Sequence, residues 1–177
     1  MRFWKSDLPI LIKNGSPKMA TLKTWISASR LRTLPLSISG ALVGSSYAYF
    51  LGFFDGLIFT LIILTTLSFQ ILSNLANDYG DGIKGTDNQS RIGPERAIQS
   101  GVVTPKQMRL AVVLSALIST GLAIALIWVS FGFGQLITST VFLILGGLSI
   151  WAAISYTVGD AAYGYSCLLY TSPSPRD

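Results

Sequence analysis

Between residues 74 and 96 the chain places Asn74, Asp78, Asp81 and Asp87 beside Lys84, Arg91 and Arg96. On a helix that continues to about residue 81, Asn74, Asp78 and Asp81 fall at i, i+4 and i+7 and share one face. Gly80, Gly82 and Gly85 are expected to loosen the backbone just beyond, which lets Asp87 fold back toward that face. Carboxylates this close repel one another, so either some take up protons or a cation binds among them. Oxygen-only donors select a hard ion, Mg²⁺ before any thiophilic metal, and protein-bound Mg²⁺ ordinarily keeps one or two carboxylates plus phosphate oxygens of a substrate. Lys84, Arg91 and Arg96 supply partners for such phosphates, since an arginine fork matches phosphate oxygens with two hydrogen bonds. Acid for metal and base for anion point to a diphosphate held through Mg²⁺. The competing account is a solvated loop whose opposite charges only balance. An EF-hand is excluded because its twelfth position is Gln89 counted from Asp78 and Ile92 counted from Asp81. A phosphate-binding P-loop is excluded because no GxxxxGK run occurs.

The acidic edge directly follows some twenty uncharged residues, and that setting decides what must position it. Half of the 177 residues are apolar, 12% are charged and the mean hydropathy is +0.55, against roughly 25% charge in soluble domains. Four uncharged stretches, at roughly 34–54, 56–77, 110–131 and 133–159, can each cross a hydrocarbon layer of about 30 Å at about 1.5 Å per residue. They leave too few polar faces for a water-soluble core. The expected fold is therefore all-α, a polytopic transmembrane helical bundle. The "GALVG" run at 40–44 is a small-xxx-small pattern that permits close helix approach. No histidine is present and Cys167 is the single cysteine. Imidazole catalysis, His-ligated zinc and a disulfide framework are thereby excluded. The net charge of +5 fits lipid and phosphate rather than nucleic acid, because aromatic and basic residues do not interleave.

Residues 1–33 carry seven basic residues and residues 78–109 carry five, whereas "GFFDG" and "SFGFGQ", which join the spans in pairs, carry none. The positive-inside rule puts both basic segments in the cytoplasm and Phe53, Phe54, Phe131 and Phe133 at the opposite face. The lead-in lacks the apolar core and cleavage site of a signal peptide. Its "TLKTWISASRLRT" run suits either a short helix in the headgroup layer or a plain solvated lead-in. Arg32 is expected to anchor topology or to approach the acidic face, and Gln70 and Ser73 to make helix–helix hydrogen bonds. Tyr156 and Tyr163 are expected at the membrane interface. After Tyr165 the chain turns Ser/Pro-rich, and residues 166–177 are expected to be a disordered terminus or a foreign continuation.

"LSNLANDYGDGIKGTDN", followed by "RIGPERAIQSGVVTP" and preceded by "RLRTLPLS", resembles the UbiA-type intramembrane aromatic prenyltransferases, within them the 1,4-dihydroxy-2-naphthoate polyprenyltransferases of menaquinone synthesis. The likeness runs from about Thr24 to Tyr165, and the "RIGPERAIQSG" stretch marks this branch. The family's acidic motif NDxxDxxxD falls on Asn77, Asp78 and Asp81. Its last aspartate would stand at Gly85, so Asp87 comes two residues late. Asn74 matches an asparagine that lines the family's metal–diphosphate site. The family has about nine spans and a second aspartate-rich motif. The resemblance therefore implies that residues 34–165 are the N-terminal part of such a domain, with about four of those spans.

The implied ligands of Mg²⁺ are Asn74, Asp78, Asp81 and Asp87, and those of the diphosphate are Asn74, Lys84, Arg91 and Arg96. Asp78, Asp81, Lys84, Arg91 and Arg96 are the implied catalytic residues. The implied substrates are a polyprenyl diphosphate and 1,4-dihydroxy-2-naphthoate, in the inner membrane of a bacterium. Two other readings compete: a transporter or proton-coupled carrier with carboxylates at the membrane edge, and an incomplete, inactive fragment.

Overall fold

Each uncharged stretch becomes a helix in a computed structural model that describes residues 21–85, 96–132, 134–159 and 162–165 of the chain. A short helix α1 (Leu22–Ala28) leads through a 3-10 turn (Leu31–Thr33) into α2 (Leu34–Phe50). Then come α3 (Gly56–Lys84), α4 (Pro105–Phe131), α5 (Leu136–Ser155) and a final 3-10 turn (Tyr163–Tyr165). The described residues thus form an all-α bundle. Three of its helices, α3, α4 and α5, are long and apolar enough to cross a membrane. The first expected stretch is shorter as a helix than as a sequence. α2 has 17 residues and ends in a turn at Gly52, whose φ is +80°. That length is at the lower edge of the roughly 17–25 residues a span requires.

Local chemistry sets the ends. Asp55 caps α3, its carboxylate accepting from the backbone N–H groups of Leu57 at 2.8 Å and Ile58 at 2.9 Å. Thr104 opens α4 in a capping box: Gln107 N donates to Thr104 Oγ1 at 3.3 Å, and Thr104 N donates to Gln107 Oε1 at 2.9 Å, with Pro105 in the first turn. Within the spans, Thr60, Thr120, Thr140 and Ser149 each donate to the carbonyl one turn back at 2.8 Å. No hydroxyl in that set needs water, which lipid could not supply. Asp55→Ala removes the α3 cap and is expected to cost about 1 kcal/mol, measured as a lower unfolding midpoint in detergent micelles.

The core lies at one end of the bundle. Leu72, Leu75 and Ala76 of α3 bury themselves against Met108 and Val112 of α4, with Val103 and Ala97 from the connection and Ala28 from α1. Since the end of α3 and the start of α4 meet there, the two helices run antiparallel. α5 buries none of its residues within the chain. It is tied in at its far end, where the Thr157 hydroxyl donates to Ala76 O at 3.1 Å. Trp25 and Ala28 pack into the core, so Leu22–Ala28 forms a short helix packed on α3. This packed end of the bundle is the support on which the acidic edge stands.

Candidate functional site

α3 runs unbroken through the acidic residues to Lys84, about one turn farther than the spacing predicts. Asn74, Asp78 and Asp81 therefore do share a helical face. Asn74 is 3% exposed and Asp78 only 2%, while the Asp81 side chain keeps 19%. A charge buried this deeply is stable only when paired, and Asp78 is paired twice. Its Oδ1 accepts from Nη2 of Arg30 and from Nη1 of Arg96. Arg96 reaches on with Nη2 to Asp81 Oδ2 at 3.7 Å, so one guanidinium spans both carboxylates. The acids turn into the bundle and stand near one another.

Arg30 arrives by an unusual backbone. Its φ of 49° and ψ of 58° put it in the left-handed region, which a non-glycine residue enters at a cost of about 1–3 kcal/mol unless its surroundings hold it there. They do. Asn74 Nδ2 donates to Ser29 O at 2.9 Å and to Thr33 Oγ1 at 3.2 Å, and the Thr33 hydroxyl donates to Arg30 O at 2.9 Å. Gln70 adds a second tie: its Nε2 donates to Thr33 Oγ1 at 3.3 Å, and its Oε1 accepts from Ser37 Oγ at 2.6 Å. A ladder of amides on α3, one turn apart, thus grips the turn that carries Arg30.

Several expectations are refined by this arrangement. Arg32 is exposed; Arg30, which the pattern did not single out, is the arginine that joins Arg96 at the acidic face. Gln70 makes the helix–helix bonds expected of it. Asn74 spends its amide nitrogen on the Arg30 turn, while its Oδ1 accepts from Gln70 Nε2 at 3.4 Å. Gly80 and Gly82 do not loosen the helix; they admit neighbours. A Cβ on Gly80 would stand 2.5 Å from Thr157 O, and one on Gly82 would stand 2.8 Å from an Ile98 methyl. Only Gly85 breaks the helix, as a left-handed C-cap with φ +68°. Lys84 is exposed at the last position of α3. Tyr163 packs edge-on against Tyr156 and donates to Ala152 O at 2.8 Å. Asp87 and Arg91 lie outside the described residues, as do Phe133 and the tail after Tyr165.

The sequence model of the UbiA prenyltransferase family matches residues 37–174. The chain belongs to the UbiA prenyltransferase family. Among its relatives, the 1,4-dihydroxy-2-naphthoate octaprenyltransferase of Escherichia coli (strain K12) is 43% identical over 148 residues, covering 84% of this chain and 47% of the relative. The enzyme of the same name from Haemophilus influenzae is 41% identical over 146 residues, 81% of this chain and 47% of its own length. That from Mycobacterium tuberculosis is 32% identical over 150 residues, 84% and 48% respectively. The chain therefore spans about half the length of these UbiA-family relatives. No solved structure matches it.

Whether this UbiA-family site suits Mg²⁺ rests on its donors. Among the described residues, no three Asp, Glu, His or Cys side chains converge. Two carboxylates do, one helical turn apart and joined through Arg96. Two carboxylates match the small protein share that Mg²⁺ takes when substrate phosphates complete its shell, while the Asn74 amide oxygen, one turn back, accepts from Gln70 Nε2. The donor set fits the ion.

Proposed function

We propose that this chain forms part of an intramembrane aromatic prenyltransferase that moves a polyprenyl group from polyprenyl diphosphate to 1,4-dihydroxy-2-naphthoate, giving demethylmenaquinol in menaquinone biosynthesis. The single observation that carries the reading is the pairing at Asp78: a buried carboxylate, clasped by two arginines, at the end of a lipid-compatible helix. Asp78, Asp81 and Asn74 would hold Mg²⁺, with Asp87 a further candidate. The ion, when bound, neutralises charge on the diphosphate.

The chain's own residues supply the rest. Arg96, Lys84 and Arg91 offer N–H groups to the departing diphosphate, fixed cations placed where negative charge builds up. As the carbon–oxygen bond to diphosphate breaks, the allylic carbon becomes cationic, and the surrounding apolar helices keep water from it. The ring carbon that bears the carboxylate attacks it, and the electron pair of the lost CO₂ returns to the ring. An isoprenoid chain needs an apolar lane. A cleft of about 440 Å³ opens beside Tyr79, the neighbour of Asp78, lined by Val112, Ala116 and Ile154 with Arg109. The charge distribution supports a cytoplasmic position for the site: the sequence from its acids to the start of α4 carries Lys84, Arg91, Arg96, Lys106 and Arg109, while the α2–α3 turn carries only Asp55. A carrier would hold carboxylates in mid-span. Here α4 and α5 contain none, and the two of α3 stand in its last two turns.

The test is a chimera of this chain with the portion of the Escherichia coli relative that it does not span, expressed in membranes lacking the activity. Labelled polyprenyl diphosphate and dihydroxynaphthoate should give prenylated product with Mg²⁺ and none after chelation. A folded, membrane-inserted chimera that makes no product would refute the proposal.

A further inference from the structure

We infer that Thr157 is a positioning residue: its hydroxyl holds the amide of Asn77 in one orientation at the edge of the acidic face, and so ties the end of α5 to the site. The inference rests on the transferase reading above for its consequence in catalysis, while its geometry stands apart from that reading. The Thr157 hydroxyl donates to Ala76 O at 3.1 Å and to Asn77 Oδ1 at 3.2 Å, across 81 and 80 residues of sequence. Thr60, Thr120 and Thr140 instead return their protons to a carbonyl of their own helix. Thr157 is also 4% exposed, the one buried residue described between Leu136 and Gly159. Gly80 admits it: a Cβ there would stand 2.5 Å from Thr157 O. Valine has nearly the same shape as threonine, so packing alone does not call for a hydroxyl at this place.

Asn77 is a residue that needs such a hold. It directly precedes Asp78, stands one turn before Asp81 and is half-buried. The terminal torsion of an asparagine is broad and two-fold, so an unheld amide presents oxygen or nitrogen to its surroundings in turn. A bond at one end removes that freedom. With Oδ1 committed to Thr157, Nδ2 is turned away from the end of α5, and among the described residues nothing accepts from it. Asn74, one turn earlier, is the contrast, because its nitrogen is spent on Ser29 O and Thr33 Oγ1. Of the two asparagines, Asn77 is therefore the one with N–H groups left to offer an oxygen-bearing ligand gathered at the carboxylates. A donor whose direction is fixed beforehand costs no reorganisation when charge develops beside it. The hydroxyl of Thr157 supplies that fixed direction.

Two measurements test this. The chain has four asparagines, Asn14, Asn74, Asn77 and Asn88, so labelling asparagine alone with ¹⁵N leaves few side-chain amide pairs in the spectrum of the full chain in micelles. The pair lost in Asn77→Ala is that of Asn77. Thr157→Val should move this pair toward the position of a free amide, and Thr157→Ser should return it most of the way. Equal helical circular dichroism establishes that the variants are folded; should the valine variant not fold, Thr157→Ala carries the same expectations. In the chimera with the Escherichia coli portion, Thr157→Val should lower prenyl transfer at saturating substrate about ten- to a hundredfold, and Thr157→Ser should recover most of that loss. An Asn77 signal indifferent to Thr157→Val overturns the inference. So does an equal loss of rate with valine and serine, which takes the hydroxyl out of the account. If the signal responds but the valine chimera works within about threefold of the unaltered one, the tie has no part in transfer and the inference fails alone. If the folded, unaltered chimera makes no product, the transferase reading fails and this inference fails with it.

Discussion

Asp78→Ala, introduced into a chimera of full relative length, is expected to lower prenyl transfer by about a thousand-fold or more and to destabilise the same end of the bundle. The activity loss follows from what the carboxylate does in the proposed site: it is the most buried charge on the α3 face and the anchor of both arginines. Removing one preorganised electrostatic partner typically costs about a hundred- to a thousand-fold, and here the metal donor and the arginine anchor are lost in one step. The stability loss follows from the charges left behind. Stripping one member from a fully buried ion pair costs about 3–5 kcal/mol. The Arg30 and Arg96 side chains keep 29% and 15% exposure and can partly rehydrate, so about 2–3 kcal/mol is expected by that scale. Asp78→Asn separates the two effects. It keeps the shape and an acceptor oxygen, so about half of the stability should return in a denaturant titration, while activity should stay lost. A chimera carrying Asp78→Asn that works within tenfold of the unaltered one would remove the carboxylate from the mechanism.

How much of this was legible beforehand depends on whether a contact is local. The i, i+4, i+7 face of Asn74, Asp78 and Asp81 was readable because helical geometry alone sets it, and a long uncharged run ahead of it left little else the segment could be. The helix ends depart from the uncharged stretches by up to about two turns, most at α3, which runs past residue 77 to Lys84 because charged residues there continue the helix. Arg30 was not readable. It meets Asp78 across 48 residues of sequence, and it is itself the left-handed residue that, with the 3-10 turn following it, resets the phase between α1 and α2. No period carries through such a break, and "SRLRT" offers two arginines with nothing local to choose between them. The choice is made by Asn74 and Gln70, whose amides bond the backbone and the threonine hydroxyl of the turn. The hold of Asn74 on this turn is out of sight in the sequence for the same reason, since Ser29 and Thr33 lie 45 and 41 residues away. Gly80 and Gly82 were misread in a related way. A glycine shows that something unusual happens to the backbone or beside it, and only the packed structure tells which. At Gly85 the backbone is unusual; at Gly80 and Gly82 the neighbours are.

Gly80→Ala should reveal that distinction as a change of sign. In an exposed helix interior, replacing glycine by alanine stabilises by roughly 0.5–1 kcal/mol, because glycine loses more conformational freedom on folding. Gly121, in the middle of α4 with nothing within 4 Å of where a Cβ would stand, should follow that rule. Gly80 should not. Its Cβ would stand 2.5 Å from Thr157 O, 2.6 Å from Thr157 C and 2.6 Å from Thr157 Cβ. Two of these are backbone atoms, so no rotamer change relieves the overlap. The segment after α5 must move off α3, which stretches the bond from the Thr157 hydroxyl to Ala76 O. Overpacking of this kind costs about 1–3 kcal/mol, and α5, which buries none of its own residues within the chain, has little with which to resist. Gly80→Ala is therefore expected to lower stability by about 2 kcal/mol in micellar denaturation while Gly121→Ala raises it slightly. Should both substitutions stabilise the protein, α3 and the end of α5 do not meet at Gly80.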